Sequence, residues 1–553
     1  MWKKNKIIIT IVFLAAILRL VLLNQYPAGL NADEASLGYN AWSLIETGMD
    51  EHGVSWPLVF RSFDDYKPPL YVYLALPFVK ALGLNVTAVR LPSALLGIAS
   101  VYLLYLLVNR LFPKEKIKIG KLELGAGHLS TLVLAISPWH LHFSRGAWEV
   151  NVATFFMILT MLYLHKSLEN IKNLYIFSIA AVLSLYTYHS ARIITPLLIL
   201  SFSLIFITKI KNFFQKANLK VTISAFIFTV VLALPIAFQM LSVEGQSRFS
   251  GVSIFADSGP IWQATNFRIE HQGDTLPVKL IHNKYFSYSM RFLQNYLSHY
   301  SLDFQFIDGD VIARSRVPEV GENLLVFLPF FAIGILYLIK LNTKGAKFIL
   351  SWFLIAPLAA ALTYQSPHAL RAENMSISLA VITALGLIWF FTFLQKNFKK
   401  IAPFMTVLVT LTVIYSFTRY LHMYYVHYPK ELPFAWQYGF DQIAEYTKEN
   451  YDQYDKIIIS DRYDQPYILI AFFSQYPPAK LQNEIVMSPP DHYGFSTGRK
   501  LDKYEFRSIK YEEDKNLPNT LLVSAEEEVD DSKVINTVKS LSGEVLFKFI
   551  STK

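Results

Sequence analysis

The sequence predicts a polytopic α-helical membrane protein of about eleven transmembrane helices, followed by a C-terminal extracytoplasmic α/β domain. Three observations predict it: a composition too apolar for an ordinary soluble chain, apolar runs of spanning length, and lysines that fall in alternate loops between those runs. Of the 553 residues, 53% are hydrophobic and 15% aromatic, with a positive mean hydropathy, which lies outside the usual composition of soluble domains. The formal charge of +9 raises nucleic acid as a partner, so the position of the lysines decides. Cysteine is absent, which excludes disulfides, thiolate catalysis and cysteine-ligated metals.

The first run, residues 7–23, follows Lys3, Lys4 and Lys6. It is long enough to cross a hydrocarbon core of roughly 30 Å at about 1.5 Å per residue. The competing reading is a cleaved signal peptide, but no small-residue cleavage pattern ends the run and further spans follow it. Those spans are residues 88–110, 123–142, 151–168, 173–188, 193–209, 221–241, 323–340, 347–364, 375–394 and 401–418. With the amino terminus inside, alternate loops are cytoplasmic. They carry Lys114, Lys116, Lys118 and Lys121; Lys166 and Lys172; Lys209, Lys211, Lys216 and Lys220; Lys340, Lys344 and Lys347; and Lys396, Lys399 and Lys400. This is the positive-inside pattern. The basic balance therefore sets topology in the cell (plasma) membrane, and nucleic acid drops out as a partner. Residues 69–84 are apolar but broken by Pro77 and Lys80, and are read as a helix lying along the outer interface.

Residues 1–418 form the membrane domain on this reading, with large outer loops at residues 24–87 and 241–322. Residues 419–553 form the α/β domain, in which the short β-like runs 456–460, 520–523 and 545–550 alternate with helical stretches such as 441–451.

The outer loop after the first span concentrates charge. In Asn31-Ala32-Asp33-Glu34, Asn31 is a helix N-cap and Glu34 its partner in a capping box, while Asp33 lies in the first turn, where the helix dipole favours a carboxylate. The same geometry holds Asp33 ionised as a base for an acceptor hydroxyl or amine. In Tyr66-Lys67-Pro68-Pro69 a helix is expected to begin at Pro68, so that Lys67 and the unpaired N–H groups make an anion site suited to phosphate. The bland alternative is a lysine snorkelling at an interface. Asp64 and Asp65 balance local charge near Lys67. The outer ends of later spans add Arg145, His189, Arg192, His368 and Arg371. These run against the lysine bias, and an anionic lipid head group explains them. Ion pairs of Arg145 with Glu149 and of Arg371 with Glu373 are the structural alternative. Arg90 is read as an interface anchor. Glu244, Arg248, His271, Asp274 and His282 are candidates for an acceptor site, with no metal-ligand spacing among them.

The acidic pair after the first span, the KPP motif and RLPSALLG at residues 90–97 resemble the lipid-linked-sugar transferases of the GT-C fold, namely the protein O-mannosyltransferases and the lipid A aminoarabinose transferases. The resemblance covers mainly residues 1–200, with SPHALRAEN a weaker echo. It implies an inverting glycosyltransferase that uses a polyprenyl-phosphate-linked sugar at the outer face and passes it to a lipid, protein or cell-wall glycan. It implies catalytic roles for Asp33 and Glu34 and a donor-phosphate role for Lys67, helped by Arg145, His189, Arg192, His368 and Arg371. Where relatives often carry an aspartate after the third span, this chain has Glu149 or Asn151. No cofactor is called for, and a divalent metal is left open. The rival class is a transporter or flippase of a lipid-linked glycan. Transporters place ionisable groups near mid-membrane, whereas here the charges gather at outer ends, which favours the enzyme.

Overall fold

In lipid every backbone N–H and C=O must find a partner within the protein, so long apolar runs are helical. The computed structural model describes residues 2–120, 122–216, 219–242, 251–271, 275–491 and 494–553. Lys121, Glu244, Arg248 and Asp274 lie outside the described residues, as do the side chains of Lys3, Lys4 and Lys216. A helix, whole or broken, stands at each of the eleven apolar runs. Among the described residues, five helices are long and apolar enough to cross a membrane: Val86–Leu111, Leu219–Leu241, Lys344–Ala361, Met375–Asn397 and Ala402–Glu431. A pair bent by 81°, Ala191–Ile205 with Ile207–Phe213, makes a sixth if counted as one span.

The described chain divides into two units. The first comprises residues 1–19, 96–144 and 149–421. Its helices include α1 (Trp2–Leu20) and the pair Leu328–Leu341 and Met375–Asn397. That pair approaches through glycine: a methyl group on Gly386 would lie 1.8 Å from the Phe330 carbonyl oxygen, and one on Gly334 2.0 Å from that of Ile382. Small residues at such crossings let backbones touch where water cannot drive association. The predicted span 123–142 departs from expectation at both ends of its first half. Residues 116–119 and 122–125 form a hairpin, β3 paired with β4, on the alternation Lys116, Ile117, Lys118, Ile119. The helix Ala126–Ala135 then stops before Pro138, which starts a second short helix, Pro138–Phe143. The break leaves the Ala135 carbonyl without a helical donor. The buried Arg19 guanidinium of α1 supplies one at 3.1 Å and donates to His140 Nδ1 at 2.8 Å.

The second unit joins residues 20–95 and 145–148 to residues 422–553. Its amino-terminal part holds α2 (Ala32–Thr47), the hairpin strands β1 (Phe60–Ser62) and β2 (Asp65–Lys67), α3 (Leu70–Leu82) and the start of α4 (Val86–Leu111). At 13 residues α3 is about 20 Å long, short of a hydrocarbon core of roughly 30 Å. The carboxyl-terminal part is a seven-stranded sheet in the order β10-β11-β9-β5-β8-β7-β6. Here β5 is Lys456–Ile459, β6 Val486–Met487, β7 Gly498–Leu501, β8 Tyr504–Phe506, β9 Thr520–Ser524, β10 Val534–Lys539 and β11 Val545–Ser551. The three β-like runs read from sequence become β5, β9 and β11. Strand β5 runs parallel to both β8 and β9, which requires crossover connections. Ile458, Ile509, Leu522 and Ile550 close a core on one face. Gly38 on α2 sits against Val89 and the Phe472 ring of helix Pro466–Ser474, where an added methyl would lie 2.4 Å and 2.8 Å from them.

Candidate active site

Asn31 caps α2: its Oδ1 accepts from the Glu34 N–H at 3.1 Å, and the cap backbone is extended. The Ala32 N–H donates to Gln437 Oε1 at 2.6 Å. Asp33 therefore emerges in the first turn, where the helix dipole favours its charge. The partner is Lys67, the last residue of β2, whose Nζ donates to Asp33 Oδ1 at 2.6 Å. The two side chains differ in exposure, 5% for the lysine and 32% for the aspartate. A lysine that deeply buried needs a counter-charge, and the carboxylate keeps a face toward solvent.

One expectation changes here. The helix expected from Pro68 begins at Leu70, with Pro69 as its N-cap, so Lys67 belongs to the hairpin and not to the helix end. Asp33 and Lys67, which the sequence assigns to acceptor and donor, form one ion pair. The hairpin brings the lysine there: Phe60 pairs with Lys67, Arg61 with Tyr66 and Ser62 with Asp65. Asp64 pairs with Arg61, and Asp65 is largely buried.

Glu34 departs from the capping-box expectation. Its oxygens accept from Arg90 Nε and Nη2, both at 2.9 Å, and Oε1 also accepts from the Ala147 N–H at 2.7 Å. Both side chains are fully buried. Arg90 also donates to the carbonyls of Leu23, Pro27 and Gly29 and lies 5.4 Å from the Trp436 ring centroid. Arg90 is thus an interior tie rather than an interface anchor, and Glu34 orients the helix that carries Asp33. Arg145 is also buried, donating to the carbonyls of Leu22 and Tyr26 at 3.1 Å, with the rings of Tyr424 and Tyr425 at 5.7 and 5.5 Å.

The remaining predicted cations belong to the first unit. His189 and Arg192 flank the turn into helix Ala191–Ile205, and both are partly exposed. Asn151 and Glu149 are buried in helix Glu149–Ser167. Arg371 donates to Thr363 Oγ1 at 2.7 Å, and the Glu373 carboxylate accepts from Thr154. His368 is 4% exposed. Its N–H donates to His299 Nε2 at 3.1 Å, and its Nδ1 lies 3.7 Å from Asp310 Oδ2. His299 in turn donates from Nδ1 to the Asn295 carbonyl at 2.8 Å; burial pushes its imidazole down to about 4. Asp310 accepts from the N–H groups of Ile312 and Ala369, and its own N–H donates to Glu322 Oε1. Burial raises the Asp310 carboxyl to about 6 and, with the neighbouring Asp310 charge, pushes Glu322 well above the usual carboxylate range. Sequence reasoning missed Asp310 and Glu322. They stand among other loop acids, and no spacing marks them. In the same loop His271 and His282 meet, Nε2 to Nε2, at 3.1 Å. Among the described residues no group of three or more His, Asp or Glu is placed to hold a metal ion.

This architecture, a set of long apolar helices with a carboxyl-terminal mixed sheet, has the GT-C fold. Three solved structures carry that statement. ArnT from Cupriavidus metallidurans bound to undecaprenyl phosphate aligns with a TM-score of 0.56 at 11% identity, over 99% of this chain and 98% of that one. Its apo form aligns with a TM-score of 0.55 at 11% identity, over 100% and 98%. The Archaeoglobus fulgidus oligosaccharyltransferase, in complex with Zn and sulfate, aligns with a TM-score of 0.51 at 15% identity. This chain is covered over 84% of its length there and spans 61% of the archaeal chain. Compared by sequence, neither a protein-family model nor a curated protein matches the chain.

Proposed function

We propose that the protein is an integral membrane glycosyltransferase that moves a sugar from a polyprenyl-phosphate donor to a lipid, protein or glycan acceptor at the outer face of the cytoplasmic membrane. The observation that carries this reading is the ion pair of a partly exposed Asp33 with a buried Lys67 at 2.6 Å. A fold shared with an ArnT that binds undecaprenyl phosphate supports it.

Asp33 accepts the proton of the acceptor O–H or N–H as that atom attacks the anomeric carbon. The bond from that carbon to the phosphate oxygen breaks, and its electron pair leaves with the polyprenyl phosphate, inverting the centre. Lys67 meets the charge that develops on the leaving phosphate; a fixed cation does so without the reorganisation that water requires. Glu34, held by Arg90, acts as a positioning residue. Arg145, in the same unit as Lys67, is proposed to answer the donor phosphate from within the fold.

The test is to incubate the purified protein with a panel of polyprenyl-phosphate sugars and candidate acceptors and to identify the labelled product. Transfer from one donor with inversion supports the reading. Movement of intact lipid-linked sugar across vesicles without a new glycosidic bond favours the transporter.

A further inference from the structure

The turn of the Lys67 hairpin has only two residues, Phe63 and Asp64, and both are left-handed, with φ of +58° and +62°. A tight turn with both central residues at positive φ is the type I′ geometry. It favours Asn-Gly and disfavours a bulky aromatic. Phe63 is nevertheless buried at 6% exposure, and its ring lies 5.6 Å from Lys67 Nζ. A strained conformation persists only where its surroundings over-determine it.

The surroundings come from the far end of the chain. The Phe63 carbonyl accepts from the Ser496 N–H at 3.1 Å, and the Phe63 ring meets the Tyr467 ring edge-on at 6.1 Å and 84°. Tyr467 is fully buried and donates its hydroxyl to Glu51 Oε2 at 3.2 Å. Glu51, also fully buried, accepts from Asn40 Nδ2 at 2.8 Å and Ser36 Oγ at 3.2 Å. Ser36 lies one turn after Asp33 on α2, and its hydroxyl meets that of Ser62, the last residue of β1, at 2.6 Å. Gly498 leaves room for the ring; a methyl there would lie 2.5 Å from Tyr467 Cγ.

We propose that Tyr467, with Ser496 and Glu51, is a positioning residue for Lys67: the C-terminal α/β fold templates the strained β1–β2 turn and ties it to the helix that carries Asp33, and so sets where the lysine ammonium stands. The inference rests on the proposed role of the Asp33–Lys67 pair for its catalytic consequence, and on geometry alone for its structural one. It gives the carboxyl-terminal α/β part a task in the reaction.

The experiment compares the full-length wild type, Tyr467→Leu, and Tyr467→Leu combined with Phe63→Asn and Asp64→Gly. The last variant installs a turn that adopts positive φ without a template. Two quantities are read: amide hydrogen exchange across residues 60–67, and the donor KM and kcat of transfer. Tyr467→Leu is expected to speed exchange in the hairpin by about tenfold and raise the donor KM by about tenfold, and the Asn-Gly turn to bring both back to within about threefold of wild type. Unchanged exchange in Tyr467→Leu overturns the proposal. So does fast exchange that the Asn-Gly turn fails to slow, because the loss then lies in general stability. If exchange behaves as expected while the wild type transfers no sugar from any polyprenyl-phosphate donor, templating stands and the glycosyltransferase reading falls.

Discussion

The Glu34 carboxylate and the Arg90 guanidinium meet through two hydrogen bonds of 2.9 Å, and solvent reaches neither side chain. Removing one member of such a pair strands a buried charge, which typically costs about 3–5 kcal/mol. Arg90→Met is predicted to lose stability on that scale, and Glu34→Leu combined with Arg90→Met to lose less than the sum of the two single changes. Thermal unfolding of the purified protein in detergent checks this. A loss below about 1 kcal/mol for Arg90→Met would show that the pair does not hold this part of the fold.

The Asp310 carboxyl predicts a pH effect of definite sign. Burial raises it from 3.8 to about 6, so between those values the folded chain holds a proton that the unfolded chain has released. Stability from this group is therefore present in acid and lost as pH rises through about 6. A shift of that size corresponds to roughly 3 kcal/mol. Glu322, shifted the same way, adds to it. Buried His299, pushed down to about 4, acts with the opposite sign, so the difference between proteins carries the test: on going from pH 7.5 to pH 5 the unfolding temperature of the wild type should change more favourably than that of Asp310→Asn. An equal change in both proteins contradicts the assignment.

The crossing of helices Leu328–Leu341 and Met375–Asn397 predicts a packing effect. A side chain at Gly386 would meet the Phe330 carbonyl at 1.8 Å, a backbone atom that cannot swing aside. Gly386→Val is expected to lower stability by at least about 2 kcal/mol, near the upper range for overpacked cores, with Gly386→Ala intermediate. An unaltered unfolding temperature for Gly386→Val would mean that the helices separate freely at this point.

Much of the helical layout was legible because apolar runs and lysine placement report directly on what lipid and topology demand. The exceptions have local causes. Ser137 and Pro138 end a helix inside a run that hydropathy reads as continuous, and the Lys116–Ile119 alternation forms a strand where charge suggested a loop. At the site, the residue types were legible but their pairing was not. Asp33 and Lys67 are 34 residues apart, and only the hairpin register decides that they touch. Glu34 read as a capping-box partner of Asn31 because its actual partner Arg90 lies 56 residues away. Tyr467, separated from Glu51 by 416 residues, gave no sequence signal at all, since a buried tyrosine in an apolar helix looks like any other core residue.

Asp33 is proposed to take the acceptor proton during sugar transfer. Asp33→Asn keeps the size and the hydrogen-bonding oxygen facing Lys67 but cannot serve as the base. The direct measurement is single-turnover transfer from a defined polyprenyl-phosphate sugar by purified wild type and Asp33→Asn, with matched membrane insertion and unfolding temperature. The rate is expected to fall by about 100-fold or more in the variant, the usual scale for a general base. Transfer by Asp33→Asn at the wild-type rate would contradict it.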